Sequence, residues 1–205
     1  MKGIYKTSHN VYVIMEYCPD GDLQGLLKKK KKKKKTFNEG EAMSVLNCLL
    51  EGVAYLAENG IWHRDVKPSN ILIKGDKYKI CDYGFTTIVE CDPTSVRDFT
   101  KVGTPLYCCP QILQGVSYSS KCDVFSIGVI LYQMLFQRFP WKAQSLSELA
   151  EKVASKKIKY KDKISEEMKY ILKLLLAIEE HERPLAKEVL KDEIYLKLLT
   201  KYGVC

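Results

Sequence analysis

The chain has 205 residues, of which 33 are Lys or Arg and 25 are Asp or Glu, so its net charge is +8. Lys28 to Lys35 supply the whole excess, because the remaining residues carry 25 charges of each sign (33 minus 8 against 25). This distribution argues against a nucleic-acid-binding domain, which spreads its basic residues over a folded face and interleaves them with aromatic ones. Since like charges repel each other, the run predicts a solvated loop insertion in preference to a dedicated polyanion site.

The first elements are predicted from β-branched residues and helix-capping signals. Residues 11 to 17, VYVIMEY, predict a strand. The segment CPDGDL turns the chain, and Asp22 within it can cap a short helix through Leu26 and Leu27 that frays into the lysines. Apolar residues from 42 to 57 form the stripe of a longer helix that ends at Asn59-Gly60. Two residue pairs at its start have the spacing of a capping box: Thr36 with Glu39, and Asn38 with Glu41.

The middle of the chain predicts a hairpin with polar residues at its open end. Strand signals at 71 to 73 and 78 to 81 flank a turn, so Asn70 and Asp82 are expected within a few ångströms of each other. Residues 83 to 122 lack periodicity and predict a long functional loop. Further helices are predicted at 123 to 137, of which 124 to 136 is apolar on almost every face, and at 145 to 155, 165 to 177 and 184 to 200.

The membrane and cysteine signals point to an ordinary soluble domain. The longest apolar tract, residues 124 to 136, is too short and too interrupted to span a bilayer, and no signal peptide is recognised near residues 1 to 10. We therefore expect a cytoplasmic protein of one domain, or one and a fraction, with no membrane span. None of the eight cysteines forms a C-x-x-C pair, which favours reduced thiols in small core positions over a zinc site.

The segment from 63 to 82 carries the residues suited to chemistry. Asp65 lies between Arg64 and Lys67, which favour an ionised carboxylate able to accept a proton. Lys67 is a mobile point charge suited to a phosphoryl group. Asn70 and Asp82 offer the hard oxygen ligands that Mg²⁺ prefers alongside substrate phosphates. Together these residues predict metal-assisted phosphoryl transfer to a hydroxyl.

The order and spacing of five motifs resemble the eukaryotic protein kinase superfamily. The catalytic-loop signature H-R-D-x-x-x-x-N is present from His63 to Asn70, and Asp82-Tyr83-Gly84 stands in the position of the family's D-F-G. Cys109-Pro110-Gln111 stands in the position of A-P-E, and the family's helix aspartate and late arginine correspond to Asp123 and Arg183. The stretch GTPLYCCPQIL is also similar to the autophagy-initiating kinases, which is a weak sub-family signal.

The resemblance implies a fold and its boundaries. The class is α+β, a protein kinase-like fold with a mainly α-helical large lobe and a remnant of the small-lobe β-sheet. Residues 1 to 17 correspond to the sheet remnant and hinge strand, and 18 to 200 to the large lobe. Within the large lobe, 28 to 35 is a poly-Lys loop insertion and 82 to 111 the activation segment.

The resemblance also assigns roles to single residues. It implies that Asp65 is the catalytic base, that Lys67 contacts the γ-phosphate of ATP, and that Asn70 and Asp82 bind Mg²⁺. Lys67 together with Gly103-Thr104-Pro105 in the substrate loop is similar to serine/threonine-specific members. The expected ligands are therefore ATP, Mg²⁺ and a protein Ser or Thr, without specific nucleic acid.

Other implied roles each have a simpler structural alternative. The resemblance makes Met15 the gatekeeper and Leu72 the floor of the adenine pocket, whereas both would otherwise be interpreted as core residues. Asp22 could contact the ribose, but it could equally be a helix cap. The backbone groups of Glu16 and Cys18 are expected to bond adenine. Thr100 matches the activating phosphosite of an upstream kinase, with Arg64 as its phosphate partner. His63, Asp123 and Arg183 are expected to be structural.

The sequence departs from the family in three respects. It contains no G-x-G, and only about ten residues precede the hinge strand, so the glycine-rich loop and the strand lysine of a small lobe are missing. Tyr83 replaces Phe and adds a hydroxyl that needs a partner. Gln111 replaces Glu, which turns an expected ion pair with Arg183 into a neutral hydrogen bond and predicts a less stable large lobe.

Three functions follow from these features. The first is a serine/threonine kinase catalytic region, expected to be a truncated fragment with little activity alone, which depends on a regulatory protein or an upstream kinase. The second is a pseudokinase-like interaction module. The third is a polyanion binder built on Lys28 to Lys35, whose affinity falls steeply with salt.

Overall fold

The computed structural model describes residues 2–89, 102–155, 158–160 and 164–204. Strands are few and short, and helices dominate after residue 20. The strands are β1 (Gly3–Lys6), β2 (Val11–Ile14), β3 (Ile61–Trp62), β4 (Ile71–Lys74), β5 (Lys77–Ile80) and β6 (Thr87–Ile88). The helices are α1 (Leu23–Lys32), α2 (Glu39–Glu58), α3 (Pro110–Gln114), α4 (Lys121–Phe136), α5 (Leu146–Ala154), α6 (Glu166–Leu175), α7 (Ala186–Val189) and α8 (Glu193–Tyr202).

The strands form three separate antiparallel pairs. β1 pairs with β2, β3 with β6, and β4 with β5, the last in the register Ile71↔Ile80. The β4–β5 hairpin lies against α2 and α1, whereas every residue of β2 is exposed. The predicted α+β class, with a mainly helical large lobe and a small sheet remnant, is therefore the observed fold.

The core forms around α2 and α4, which pack against each other. The capping box at the start of α2 is the pair Asn38 and Glu41, with bonds of 2.8 and 2.9 Å, and α2 ends at Glu58 as its sequence predicts. In α4 nearly every residue is buried, which confirms the prediction of a central helix. Among the helices of the described ranges, none has both the length and the apolar character that crossing a membrane requires.

The lysine run is largely helical, which corrects the predicted loop insertion. α1 continues through Lys32, so five of the eight lysines are helical, and the N–H groups of Lys33 to Lys35 bond back to carbonyls of its last turn. Leu23 and Leu27 bury the first half of the helix. Lysine is a good helix former and its charge is favourable near a helix C-terminus, so these effects outweigh the repulsion.

Two other predicted elements differ from the observed ones. The helix predicted at 184 to 200 is divided into α7 and α8, because Asp192 accepts the N–H groups of Ile194 and Tyr195 and starts a new helix. The predicted loop from 83 to 122 contains β6 and, near its end, α3. Pro110 begins α3 and Gly115, in the left-handed conformation, ends it, so the sequence did contain both signals.

The described cysteines are free thiols. Cys108, Cys109 and Cys122 are buried core residues, as predicted, whereas Cys18, Cys48 and Cys81 are half-buried. Cys91 and Cys205 lie outside the described residues.

Candidate active site

The turn that carries the predicted catalytic residues is held by a buried carboxylate. Asp123, in the first turn of α4, accepts the backbone N–H groups of His63 and Arg64, both at 2.8 Å. Arg64 has a φ of 64°, which is strained for a side chain of this size, so these bonds hold the turn in place. Burial raises the pKa of Asp123, while His63 and Arg64 oppose that shift. Asp123 therefore has a structural role.

His63 connects this turn to the end of β5. Its Nε2 lies 3.0 Å from the carbonyl oxygen of Cys81, and its Nδ1 lies 3.3 Å from the backbone nitrogen of Asp65. A neutral imidazole protonated on Nε2 satisfies both contacts, since the carbonyl accepts and the N–H donates. The Tyr83 ring lies 5.2 Å from the His63 ring, and its hydroxyl finds a distant partner at 3.5 Å, the carbonyl of Ile80.

Asp65, Lys67 and Thr104 form a triangle of contacts, which we call the catalytic triangle after the role that the sequence predicts for Asp65. Lys67 Nζ lies 2.7 Å from Asp65 Oδ2 and donates to Thr104 Oγ1 at 2.9 Å. Thr104 Oγ1 in turn donates to Asp65 Oδ1 at 2.8 Å. The Asp65 side chain is only 2% exposed, so its attraction to Lys67 is weakly screened. Asn70 Nδ2 donates to the Asp65 carbonyl and to Oδ2, at 3.0 and 3.2 Å.

Asn70 lies directly before β4 and Asp82 shortly after β5, at the open end of the β4–β5 hairpin. The Cys81 N–H donates to the Asn70 carbonyl at 2.9 Å, which extends the strand register to the residues before and after the strands. Asp82 has a φ of 66° and accepts the Gly84 N–H at 3.3 Å. The amide nitrogen of Asn70 is directed to Asp65, whereas its Oδ1 accepts only the Ser69 hydroxyl within the described residues, at 3.4 Å, and so retains a lone pair alongside the Asp82 carboxylate. This pair of hard oxygens fits Mg²⁺.

The predicted hinge is tied to the β4–β5 hairpin through Glu16. Lys74 and Lys79 contact its two carboxylate oxygens at 2.8 and 2.6 Å. The hydrogen bonds from Lys74 and Lys79 lower the pKa of Glu16 to about 2. Met15, the predicted gatekeeper, is 64% exposed, so it is not a core residue in this structure. Within the described residues the backbone of Glu16 makes no hydrogen bond.

Asp22 and Leu72 lie side by side across an isolated antiparallel bridge. Asp22 caps α1 by accepting the Gly25 N–H at 2.7 Å, so the predicted role as a helix cap is the one observed. The cap uses only one of its two carboxylate oxygens. Leu72 and Cys18 are half-buried beside the same segment. The five predicted nucleotide residues therefore lie along one connection between β2 and α1 and the strand next to it.

The predicted substrate loop meets the predicted catalytic turn at Gly103. This glycine has a φ of 96°, and a Cβ placed on it would lie 2.5 Å from the Arg64 carbonyl oxygen, so no other residue fits. The Arg64 guanidinium donates to the Phe85 carbonyl at 2.7 Å and to the Tyr118 hydroxyl at 3.4 Å. Thr100, its predicted phosphate partner, lies outside the described residues.

Arg183 is a buried cation whose charge is stabilised by neutral hydrogen-bond acceptors and an aromatic ring. Gln111 Oε1 accepts from its Nη2 at 3.0 Å, the neutral bond expected from the sequence. The carbonyl oxygens of Ala177, Lys121 and Ile178 also accept from the guanidinium. The Phe125 ring lies 5.0 Å away, a cation–π contact. Burial lowers the pKa of Arg183.

Sequence reasoning missed several residues around the site. Lys74 and Lys79, which fix Glu16, are charged strand residues without any motif. Tyr118, which meets Arg64, lies in a stretch with no periodicity. For Lys79, the only available signal was the pairing register of the β4–β5 hairpin. This register places Lys79 opposite Leu72, the predicted adenine contact.

A helical core that carries the H-R-D-x-x-x-x-N turn beside a β-hairpin with Asn70 and Asp82 at its open end is the arrangement found in the large lobe of protein kinases. The model of the protein kinase domain family matches residues 1–195, and the chain belongs to this family. Members of the family use ATP and Mg²⁺.

Curated relatives agree with this assignment. The chain is 30% identical to bovine (Bos taurus) serine/threonine-protein kinase 33, over 94% of this chain and 42% of the relative. It is 35% identical to serine/threonine-protein kinase atg1 of Dictyostelium discoideum, over 84% of this chain and 25% of the relative. This match confirms the predicted sub-family similarity. It is 30% identical to human (Homo sapiens) serine/threonine-protein kinase Nek2, over 96% and 45%. The chain thus spans less than half the length of these relatives.

Proposed function

We propose that this chain is a serine/threonine protein kinase catalytic region that transfers the γ-phosphate of ATP to a Ser or Thr hydroxyl of a protein. The observation that carries this proposal is the catalytic triangle, in which one buried carboxylate contacts both a lysine and a threonine. Such a group can accept a proton beside a cation that attracts phosphate.

The proposed reaction uses the two oxygens of Asp65 differently. Oδ2 is held by Lys67 and Asn70, whereas Oδ1 accepts only Thr104 within the described residues and retains a lone pair for a substrate hydroxyl. The hydroxyl oxygen bonds to the γ-phosphorus, the bond from that phosphorus to the β,γ-bridging oxygen breaks, and ADP leaves. The hydroxyl proton passes to Asp65, while Lys67 stabilises charge on the transferred group.

Mg²⁺ and the nucleotide have candidate positions on the same side. Asn70 and Asp82 would hold Mg²⁺, which supplies charge neutralisation at the phosphates when bound. Adenine is assigned to the backbone of Glu16 and Cys18, with Leu72 below it and Met15 at its edge. For Asp22, the oxygen that does not cap α1 is the candidate ribose contact.

Selectivity and regulation are assigned to the segment from 82 to 111. Thr104 donates to Asp65 and accepts from Lys67, an arrangement that supports Ser/Thr rather than Tyr acceptors. Thr100 remains the predicted site of an upstream kinase, with Arg64 as the residue that would receive its phosphate.

We further propose that residues 1 to 205 by themselves have little activity. The sequence contains no G-x-G, and in this family a glycine-rich loop covers the phosphates while a strand lysine holds them. Residues 1 to 17 would then serve as the sheet remnant and hinge, and 18 to 200 as the large lobe.

A fusion experiment tests these proposals together. The 205-residue chain is joined behind the small lobe of the Dictyostelium discoideum atg1 kinase, and transfer of ³²P to peptides with Ser, Thr or Tyr acceptors is measured. We expect phosphorylation of the Ser and Thr peptides by the fusion and loss of at least about a thousandfold in Asp65→Asn. A fusion that stays inactive, although the chain binds Mg-ATP, would contradict the kinase assignment.

The second candidate is a non-catalytic interaction module. It is favoured by the β1–β2 hairpin, whose large hydrophobic side chains, among them Ile4, Val11 and Val13, are 45% to 61% exposed. Exposed apolar clusters of this kind commonly mark interaction sites. Thermal shift with Mg-ATP separates the candidates, because a module that has lost nucleotide binding gives no stabilisation with either the chain or the fusion.

A further inference from the structure

A basic cavity lies between α1 and the C-terminal end of α4. Its volume is about 440 Å³. Four cationic side chains line it, those of Lys28, Lys31, Arg138 and Lys142, above an apolar wall that includes Phe139. No carboxylate lines this cavity within the described part of the chain. The helical conformation of the lysine run is what directs Lys28 and Lys31, three residues apart, to the same side.

The cations of this cavity have no acidic partners among the described residues. Lys30, on another side of α1, is paired with Glu41 at 2.7 Å and lies over the Phe37 ring. Lys28 and Lys31 make no such ion pair, and the Arg138 guanidinium donates to a carbonyl, that of Lys159, at 3.2 Å. A concave surface with one sign of charge focuses the field and concentrates anions.

The cavity is connected to the catalytic triangle by one short turn. Its wall residue Gln133 accepts the Tyr107 hydroxyl at 2.9 Å, and the Tyr107 ring meets the Phe139 ring edge to face. The Tyr107 N–H donates to the Thr104 carbonyl at 2.9 Å, and the Thr104 hydroxyl donates to Asp65. α1 also packs against the turn at 68–70. These contacts join the wall of the cavity to the loop that carries Thr104, which the proposed function assigns to substrate selection.

We propose that the cavity binds acidic side chains of the protein substrate, so that this kinase prefers Ser or Thr close to Asp or Glu. The inference rests on the proposed function, because it assigns the substrate class of that same site. An acidic peptide fits better than nucleic acid: Phe139 is half-buried and engaged with Tyr107, so the cavity offers no free ring on which bases could stack.

Binding of a peptide without ATP tests the cavity. A fluorescein-labelled Gly/Ala peptide with a central Ser and Glu on both sides is titrated with the 205-residue chain, followed by anisotropy at physiological ionic strength. The same peptide with Gln in place of Glu is the neutral control. We expect the Glu peptide to bind at least about tenfold more tightly than the Gln peptide.

The matched variants are Lys28→Glu/Lys31→Glu and Lys29→Glu/Lys32→Glu. Both pairs lie three residues apart on α1, all four lysines are exposed, and the change in net charge is the same, but only the first pair lines the cavity. We expect the first to weaken Glu-peptide binding about tenfold more than the second. Lys142→Glu, outside α1, should act in the same direction as the first pair.

Two results would overturn the proposal. One is equal weakening by the two double variants, with folding of both verified by thermal melting, since this would mean attraction by net charge alone. The other is a single-stranded RNA that displaces the Glu peptide and loses affinity equally in both variants, which would make α1 a general polyanion surface. Failure of the kinase proposal looks different: the fusion would then bind the Glu peptide through Lys28 and Lys31 without phosphorylating it.

Discussion

α4 and the β1–β2 hairpin have similarly apolar sequences and opposite surroundings. In α4, residues from Cys122 to Phe136 are buried with the single exception of Gln133. In the hairpin no described residue is buried, and Tyr12 and Ile14 are 53% and 45% exposed. Burial of apolar area is the main favourable contribution to folding, so α4 contributes to stability and the hairpin contributes little.

The difference also separates the two parts of the candidate site. The turn at His63 and Arg64 is fixed from α4 through Asp123, whereas Met15 and Glu16, the proposed hinge residues, follow the exposed hairpin. A two-stranded hairpin is marginally stable without a further layer. We therefore expect the residues proposed for phosphoryl transfer to be more rigidly placed than those proposed to bind adenine.

The sharpest test of this comparison is the loss of one aromatic side chain from each region. Phe125 is 1% exposed, stacks on Trp141 and supports Arg183, so Phe125→Ala is expected to lower the free energy of unfolding by about 3–5 kcal/mol. Tyr12→Ala in the hairpin is expected to change it by less than about 0.5 kcal/mol. Urea denaturation measures both, and losses of similar size would refute the comparison.

A smaller effect is expected at the buried cation of the core. Gln111→Glu places a carboxylate beside Arg183 and should raise the free energy of unfolding by about 1 kcal/mol, because a charge-assisted bond replaces a neutral one. The gain is limited because Gln111 also donates to the Ile178 carbonyl at 2.8 Å, a bond that Glu cannot make. Gln111→Ala should lower stability by about 1–2 kcal/mol.

The matched control for this change is Asn10→Asp in the hairpin turn, which makes the same amide-to-carboxylate substitution at an exposed position. It should leave the thermal midpoint within a degree or two of the parent, as is usual for surface substitutions (about 0.5 kcal/mol or less). If Gln111→Glu raises the midpoint no more than Asn10→Asp does, Gln111 does not weaken the large lobe.

The smallest effect concerns acid stability and compares two glutamates. Burial raises the pKa of Glu39, but hydrogen bonds from Ser165 and Tyr202 outweigh it, so the net pKa lies below its ordinary value of 4.5. Its stabilisation is therefore complete above about pH 4.5 and is lost as the pH falls through the folded-state pKa. Glu39→Gln should lower stability by about 1 kcal/mol at neutral pH and flatten the acid limb of the stability curve.

Glu16 provides the contrast, because its pKa of about 2 arises from two exposed lysines that salt screens. The contribution of Glu16 to the free energy of unfolding is likewise lost only as the pH falls toward that value. Because salt screens this contribution, Glu16→Gln should hardly alter the acid limb of the stability curve at physiological ionic strength. An acid limb that changes more in Glu16→Gln than in Glu39→Gln would show that the hairpin side carries more of the stability than its burial indicates.

Local sequence determined the motifs and most helices of this protein. The catalytic-loop signature, the helix from Glu39 to Glu58 and the buried α4 follow from residue spacing and apolar periodicity, which depend only on near neighbours along the chain. The same spacing placed Asn70 and Asp82 at one hairpin end. These predictions needed no knowledge of distant contacts.

The tertiary structure decided what each of those residues meets. Only packing shows that Asp123, 58 residues after Asp65, holds the turn at His63 and Arg64. Likewise, only packing shows that position 103 must be glycine, because a side chain there would collide with the Arg64 carbonyl. Packing also contributes to the helical conformation of the lysine run, since burial of Leu23 and Leu27 stabilises the first half of α1 and the helix propensity of lysine extends it. Charge can be counted from a sequence, but burial and partners depend on residues far apart along the chain.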